Sequence, residues 1–239
     1  MNLKAQIPNI ITLLNLFSGC LASIYAFQGD YLWAGFFVLL GIFFDFFDGF
    51  FARVLKVSTE LGLQLDSLAD MVTSGFVPGL VMFQLIGTTI NPDFSLSSFD
   101  FFTLDSLALF GFIITLASAY RLANFNIDEA QTENFIGLPT PANAILVIST
   151  AILIEPLQFG FKIETLLLLT LVSSYLLNAN LALFSFKFSN FNLNENWFRY
   201  VMIVVSIILL ITLQLKAIPF IIGFYILLNL ILNFKNKIF

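Results

Sequence analysis

Residues 45–70 read DFFDGFFARVLKVSTELGLQLDSLAD. Within them Asp45, Asp48, Gly49, Ala52, Arg53, Gly62, Asp66 and Asp70 spell D-x-x-D-G-x-x-A-R-x8-G-x-x-x-D-x-x-x-D. The sequence on either side is almost entirely hydrocarbon. Charge held at membrane depth is expensive, so acids inside an apolar segment mark a functional site. Asp45 and Asp48 stand at i and i+3, and Asp66 and Asp70 at i and i+4. Each spacing puts both side chains on one face of a helix. The connection between the two pairs is short, which makes their helices antiparallel neighbours and lets four carboxylates converge.

Working outward, the chain of 239 residues is 59% hydrophobic and only 10% charged. Its mean hydropathy is +0.96. The apolar runs reach the roughly 20 residues that a bilayer-spanning helix needs. They are continuous, not alternating, which disfavours strands. The fold class expected is an all-α polytopic membrane protein with about eight transmembrane helices. The spans fall near 8–27, 31–54, 66–87, 104–125, 137–155, 163–184, 198–214 and 217–234, with the first opening at Pro8. Residues 1–184 form the expected catalytic membrane domain, and 198–239 a C-terminal transmembrane hairpin that carries no acid within its spans.

The ten Lys and Arg residues orient these spans. A cytoplasmic N-terminus puts Lys4, Arg53, Lys56, Arg121, Lys187, Arg199, Lys235 and Lys237 inside, and only Lys162 and Lys216 outside. The positive-inside rule selects that arrangement, with both termini cytoplasmic. Asp45 then lies about 13 Å below the cytoplasmic end of its helix, in a cavity open to the cytoplasm.

Histidine is absent and Cys20 is the single cysteine. Ser-His and Cys-His nucleophile pairs and His-ligated metals are thereby excluded. Cys20 is expected to be a small buried apolar residue. Carboxylates, Arg, Lys and hydroxyls remain, a set that suits hard cations such as Mg2+ or Mn2+. Four ionised acids carry a charge that two divalent ions balance, and paired metals suit phosphoryl chemistry. Gly49 and Ala52 clear space on the acidic face, and Arg53 adds a cation near its mouth. Taken alone, Gly49 and Ala52 are equally well read as helix-packing residues, Arg53 as an interfacial anchor and Gly62 as a turn residue. Gly75 and Gly79, with Pro78, read as packing and kinking residues. The high count of 31 Phe residues is expected to supply lipid-facing bulk.

The eight motif positions resemble the signature of the CDP-alcohol phosphatidyltransferase family at every position. Other segments resemble its integral-membrane phosphatidylserine synthase branch: IPNIITLLNLFSGC at 7–20, DSLADMVTSGFVPG at 66–79, YRLANFN at 120–126 and FIGLPTPANA at 135–144. The resemblance implies transfer of a phosphatidyl group from CDP-diacylglycerol to the hydroxyl of L-serine, with release of CMP. It implies Asp45, Asp48 and Asp66 as metal ligands and Asp70 as a ligand or the general base. Gly49, Ala52, Arg53 and Gly62 would border the CDP-lipid. The chain departs from the branch at Asn124, where a second basic residue is usual, and keeps Arg121. Arg121 is also favoured chemically, because a guanidinium binds an amino-acid carboxylate bidentately. Asn126, Thr140 and Asn143 are further polar candidates near it. A homodimer in a bacterial cytoplasmic membrane is implied by the same resemblance, with bilayer lipids as partners and no nucleic acid. Two other readings stand beside this one. The same chemistry could serve glycerol 3-phosphate or inositol as acceptor. A cation transporter would instead spread its acids through the membrane depth.

Overall fold

The computed structural model describes residues 3–57, 59–95, 97, 99–127, 135–154, 162–184 and 192–238. Among them, helices occupy every one of the expected apolar stretches. They are α1 (Leu3–Phe27), α2 (Tyr31–Leu55), α3 (Glu60–Asp70), α4 (Val77–Ile90), α5 (Ile113–Ile127), α6 (Thr140–Ile154), α7 (Ile163–Asn178), α8 (Leu193–Leu213) and α9 (Ile218–Ile238). A π-helical turn, Met71–Phe76, fuses α3 to α4, and a 3-10 segment, Leu104–Phe112, leads into α5. Five stretches are long and apolar enough to cross a membrane: 6–27, 31–55, 60–90, 104–127 and 193–233. The helices α6 and α7 are apolar but shorter. The only strands among the described residues form a two-residue antiparallel ladder, which pairs Phe135 with Leu183 and Ile136 with Ala182. Of the cations that orient the chain, Lys187 lies outside the described residues.

Two helix boundaries and one burial differ from expectation, each for a local reason. The first helix starts at Leu3, so Pro8 lies inside it and does not open it. Pro8 forgoes one ladder hydrogen bond there, and residues 3–7 include good helix formers that extend the helix ahead of it. The third rod starts at Glu60, six residues early, because Thr59 caps it by accepting from the Gly62 N–H at 3.0 Å. Gly62 is therefore a first-turn helical residue, not a turn residue. Cys20 is exposed, not buried. It lies in the series Ile10, Leu13, Phe17 and Ile24, whose side chains form the outward stripe of α1 at helical spacing.

The centre of the bundle is α4. Every residue from Val77 to Gly87 is buried, with α1, α6 and the 104–112 segment packed around it. A helix that is apolar all round belongs in the interior. Lipid tails are as apolar as these side chains, so close packing must hold the bundle together. Small residues make that packing possible. A Cβ on Gly79 would meet Thr115 Oγ1, and one on Gly75 would stand 3.1 Å from Ser118 Cβ, so the expected packing role of this pair is correct. Gly111 is tighter: a Cβ there would meet the Phe83 backbone nitrogen and stand 2.9 Å from the Gly79 carbonyl oxygen. Outside this core, Phe43, Phe46 and Phe50 project from α2, and α8 exposes Val204, Ile207, Ile208 and Ile211, in keeping with lipid-facing bulk.

The FIGLP segment enters α6 through Gly137, whose φ of +74° favours glycine. Its backbone is pinned to the end of α7 by Gly137 N–H to Leu181 O at 3.0 Å and Leu138 N–H to Leu176 O at 2.8 Å. The last helix is tied to the same region. Tyr225 donates to Phe184 O at 2.8 Å, and Asn233 donates to Ala182 O at 2.8 Å.

Because Gly111 faces backbone atoms, a side chain there cannot be absorbed by a rotamer change. Gly111→Val is expected to destabilise the bundle by about 1–3 kcal/mol. Gly223→Ala, where a Cβ meets nothing within 4 Å, serves as the neutral control. Thermal unfolding of both purified variants in detergent, against wild type, measures the difference.

Candidate active site

Two rods carry the motif. α2 supplies Asp45, Asp48, Gly49, Ala52 and Arg53, and α3 supplies Gly62, Asp66 and Asp70. One carboxylate oxygen each from Asp45, Asp48 and Asp66 lie within 4.8 Å of one another. Three acids on two helices meet because α1 packs against both. That first helix also supplies donors. Thr12 Oγ1 donates to Asp48 Oδ2 at 2.6 Å, and Asn15 Nδ2 donates to Asp70 Oδ1 at 3.1 Å. Neither Thr12 nor Asn15 was singled out in the sequence, though their i, i+3 spacing on an apolar helix was a visible signal.

The acidic trio fits a divalent cation. Asp66 Oδ1 is buried with no hydrogen-bond partner among the described residues, an acceptor left for a metal. An all-carboxylate donor set matches hard ions.

The remaining motif residues surround this point differently. A Cβ on Gly49 would meet nothing closer than Arg53 Nη1 at 4.0 Å. No described helix packs on Gly49, so the bare backbone there is not a packing requirement. Arg53 is exposed and lies back along α2 towards Gly49, and Ala52 is half-buried. Gly62 sits under α1: a Cβ on it would stand 3.3 Å from Asn9 Oδ1.

α5 closes another side. Arg121 is buried, 9% exposed, and near enough to Asp70 for the two charges to interact. Its Nε has no hydrogen-bond partner among the described residues. One turn further on, Asn126 Oδ1 accepts from Ser67 Oγ at 2.9 Å, which ties α5 to the residue after Asp66. Asn143, on α6, is fully buried, and neither its Nδ2 nor its Oδ1 has a partner among the described residues. Thr140 is buried one turn before it. The structure thus gathers the four acids, Arg121 and Asn126 round one region. It leaves Arg53 on the exposed side of α2.

A separate apolar cleft of about 550 Å³ runs between α2, α6 and the α8–α9 turn. Its walls include Leu39, Ile148 and Ile152, with Lys216 at one end. Leu39 is six residues before Asp45, so about 9 Å along the helix separates cleft and acids.

Comparison with known proteins bears on this arrangement. The family model for CDP-alcohol phosphatidyltransferase matches residues 5–212. A CDP-diacylglycerol–serine O-phosphatidyltransferase of Helicobacter pylori is 26% identical over 94% of this chain and 89% of its own length. One from Bacillus subtilis is 32% identical over 59% of this chain and 73% of its own. An archaetidylserine synthase of Methanothermobacter thermautotrophicus is 28% identical over 60% of this chain and 56% of its own. The match runs through all the helices that build the acidic site, and the chain is an integral membrane protein that belongs to the CDP-alcohol phosphatidyltransferase family.

Proposed function

We propose that this protein transfers the phosphatidyl group of CDP-diacylglycerol to the hydroxyl of L-serine, giving phosphatidylserine and CMP. The observation that carries the reading is the trio of carboxylate oxygens within 4.8 Å, with Asp70 and the buried Arg121 beside it. Serine as acceptor is supported by the names of the relatives. The archaeal relative is named for another lipid class and keeps serine.

Asp45, Asp48 and Asp66 would hold Mg2+ or Mn2+, and Asp70 would complete the site for a second ion or act as general base. When bound, the ions neutralise the charge of the pyrophosphate. Asp70 takes the proton of the serine hydroxyl, the serine oxygen bonds to the lipid-bearing phosphorus, and the bond from phosphorus to the CMP oxygen breaks with its electron pair. Arg121 pairs with the serine carboxylate, with Asn126 at the edge of the same region. Gly49, Ala52, Arg53 and Gly62 border the CDP-lipid; the open backbone at Gly49 leaves room for a nucleotide. The acyl chains stay in the bilayer, and the apolar cleft along α2 suits one of them.

The eight helical rods would cross the membrane with both termini and the acidic site on the cytoplasmic side, as the Lys and Arg distribution favours. A homodimer in a bacterial cytoplasmic membrane fits the family. The hairpin of α8 and α9 would be accessory, docked through Tyr225 and Asn233. A transporter is disfavoured, because the acids gather at one level of neighbouring helices.

Three outcomes follow. Asp45→Asn, Asp48→Asn, Asp66→Asn and Asp70→Asn should each insert normally yet lose most turnover. For Asp70 the loss should be roughly 10²–10⁴-fold, the usual worth of a general base. Chelation should stop the wild type and Mg2+ or Mn2+ restore it; full activity in excess chelator would remove metal from the reading. Next, membranes given CDP-diacylglycerol and divalent metal should release CMP with L-serine in preference to glycerol 3-phosphate or inositol. Arg121→Ala should weaken serine binding by about 1.5–3 kcal/mol, a rise in serine KM of roughly 10–150-fold, with little change for CDP-diacylglycerol. Product from inositol or glycerol 3-phosphate but not from serine would reassign the acceptor. Finally, in a Cys20→Ala background, an impermeant thiol reagent on intact cells should label Ser95→Cys and spare Ser58→Cys. The opposite pattern would invert the topology.

A further inference from the structure

The four motif acids are not held alike. Asp45, Asp48 and Asp66 converge, whereas Asp70 lies outside their group. Its Oδ1 instead accepts from Nδ2 of Asn15, a residue 0% exposed on α1. The direction of that amide is fixed from behind. Thr73 Oγ1 lies 2.8 Å from Asn15 Oδ1 and 3.1 Å from the Asn15 main-chain oxygen. Both of those atoms are acceptors, so the single hydroxyl proton is shared between them, with the shorter contact to Oδ1. With Oδ1 used in this way, only the NH2 group can face Asp70.

Thr73 is itself immobilised. It is 0% exposed, sits in the π-helical turn that begins just after Asp70, and is packed where two helices have no side chain. A Cβ on Gly41 would come within 2.6 Å of its Cγ2, and one on Gly19 within 2.5 Å of its Oγ1. π-turns are uncommon and recur at functional sites. Here the turn places Thr73 on α1 and α2 together.

We propose that Asn15, locked by Thr73, is the positioning residue for the Asp70 base. It fixes the direction of the Asp70 carboxylate beside the metal-binding trio and presents it to the acceptor hydroxyl. The proposal rests on the phosphatidyl-transfer reading, in which Asp70 takes the acceptor's proton. Thr12 has the corresponding contact with Asp48 and acts on the metal side.

The two functions of Thr73 can be separated. Thr73→Val keeps the methyl that packs at Gly41 and loses the hydroxyl; Thr73→Ser keeps the hydroxyl and loses the methyl. Thr73→Val and Asn15→Leu are expected to lower kcat about 10–100-fold, while Thr73→Ser stays within about threefold of wild type. The KM values for both substrates should hold within about twofold, since neither residue contacts them on this reading. Mn2+ binding to the purified variants, followed by the paramagnetic resonance signal of free Mn2+ and independent of turnover, should match wild type. Thr12→Val should weaken it. The proposal is overturned if Thr73→Ser loses as much kcat as Thr73→Val, if Thr73→Val turns over normally, or if Mn2+ affinity falls in step with kcat in the Thr73 and Asn15 variants. Should Asn15→Leu fail to fold, the Thr73 pair still decides. A wild type that binds Mn2+ yet releases no CMP with serine would instead overturn the acceptor reading.

Discussion

Four carboxylates placed within an apolar bundle are the constraint on which this structure depends. An uncompensated buried charge costs several kcal/mol, far more than any one helix contact returns. Compensation comes from the two helices that flank the acidic pair of rods. On one side α1 supplies the Thr12 hydroxyl and the Asn15 amide. On the other, α5 supplies the Arg121 guanidinium. Even so, one Asp66 oxygen is left without a donor. A protein that needed these acids only for stability would satisfy that oxygen or replace the residue. That oxygen is an acceptor a bound cation could take.

Delivering the donors requires helices to approach more closely than ordinary side chains allow. Gly19 and Gly41 admit Thr73 between α1 and α2, and Gly79 and Gly111 bring α4 against the segment that leads to α5. The third rod does not run straight from the acids to the core. Its π-turn falls between Asp70, which faces the site, and Val77, where the fully buried run begins. A wider turn at that point changes the helical phase. One rod can thus aim its first half at the acids and its second half at the centre of the bundle. Pro78, at the start of α4, lacks an N–H for the ladder and suits the junction.

The sequence disclosed the acids and their pairing because charge is rare in this chain and its spacing is helical. Asp45 and Asp48, the i, i+3 pair, meet Asp66, whereas Asp70, expected to converge with them, is not among the oxygens within 4.8 Å of one another. The helical stretches were equally plain, since continuous apolar runs admit few alternatives. Less was legible where a short polar side chain decides the geometry. Thr59 starts α3 early with a single hydrogen bond, and nothing in hydropathy registers it. Thr12, Asn15 and Ser18 repeat at intervals of three on α1, a buried polar stripe that composition hides among Leu and Ile. Cys20 was misplaced because burial was inferred from residue type, whereas its position in the outward stripe of α1 sets it. The π-turn has no sequence signal that we can identify.

The relation between Asp70 and Arg121 limits which acceptor the site suits. In serine the carboxylate carbon and the hydroxyl-bearing carbon are both attached to Cα, so the two groups cannot reach widely separated partners. A base for the hydroxyl and a cation for the carboxylate must then be neighbours. Asp70 and Arg121 lie near enough across the α3–α5 contact for their charges to interact, and Asn15 donates to Asp70 from α1. Inositol offers hydroxyl acceptors but no anion to a buried guanidinium, so the stronger charge-assisted bidentate bond that a carboxylate makes would be lost. Glycerol 3-phosphate does carry an anion, but its phosphate is separated from the reacting hydroxyl by the full three-carbon backbone. Arg53, the motif's own cation, is exposed on α2. On the proposed roles, with Asp70 taking the hydroxyl proton and Arg121 pairing with the anion, an acceptor whose anion and hydroxyl share one carbon neighbour suits the pair, the arrangement found in serine.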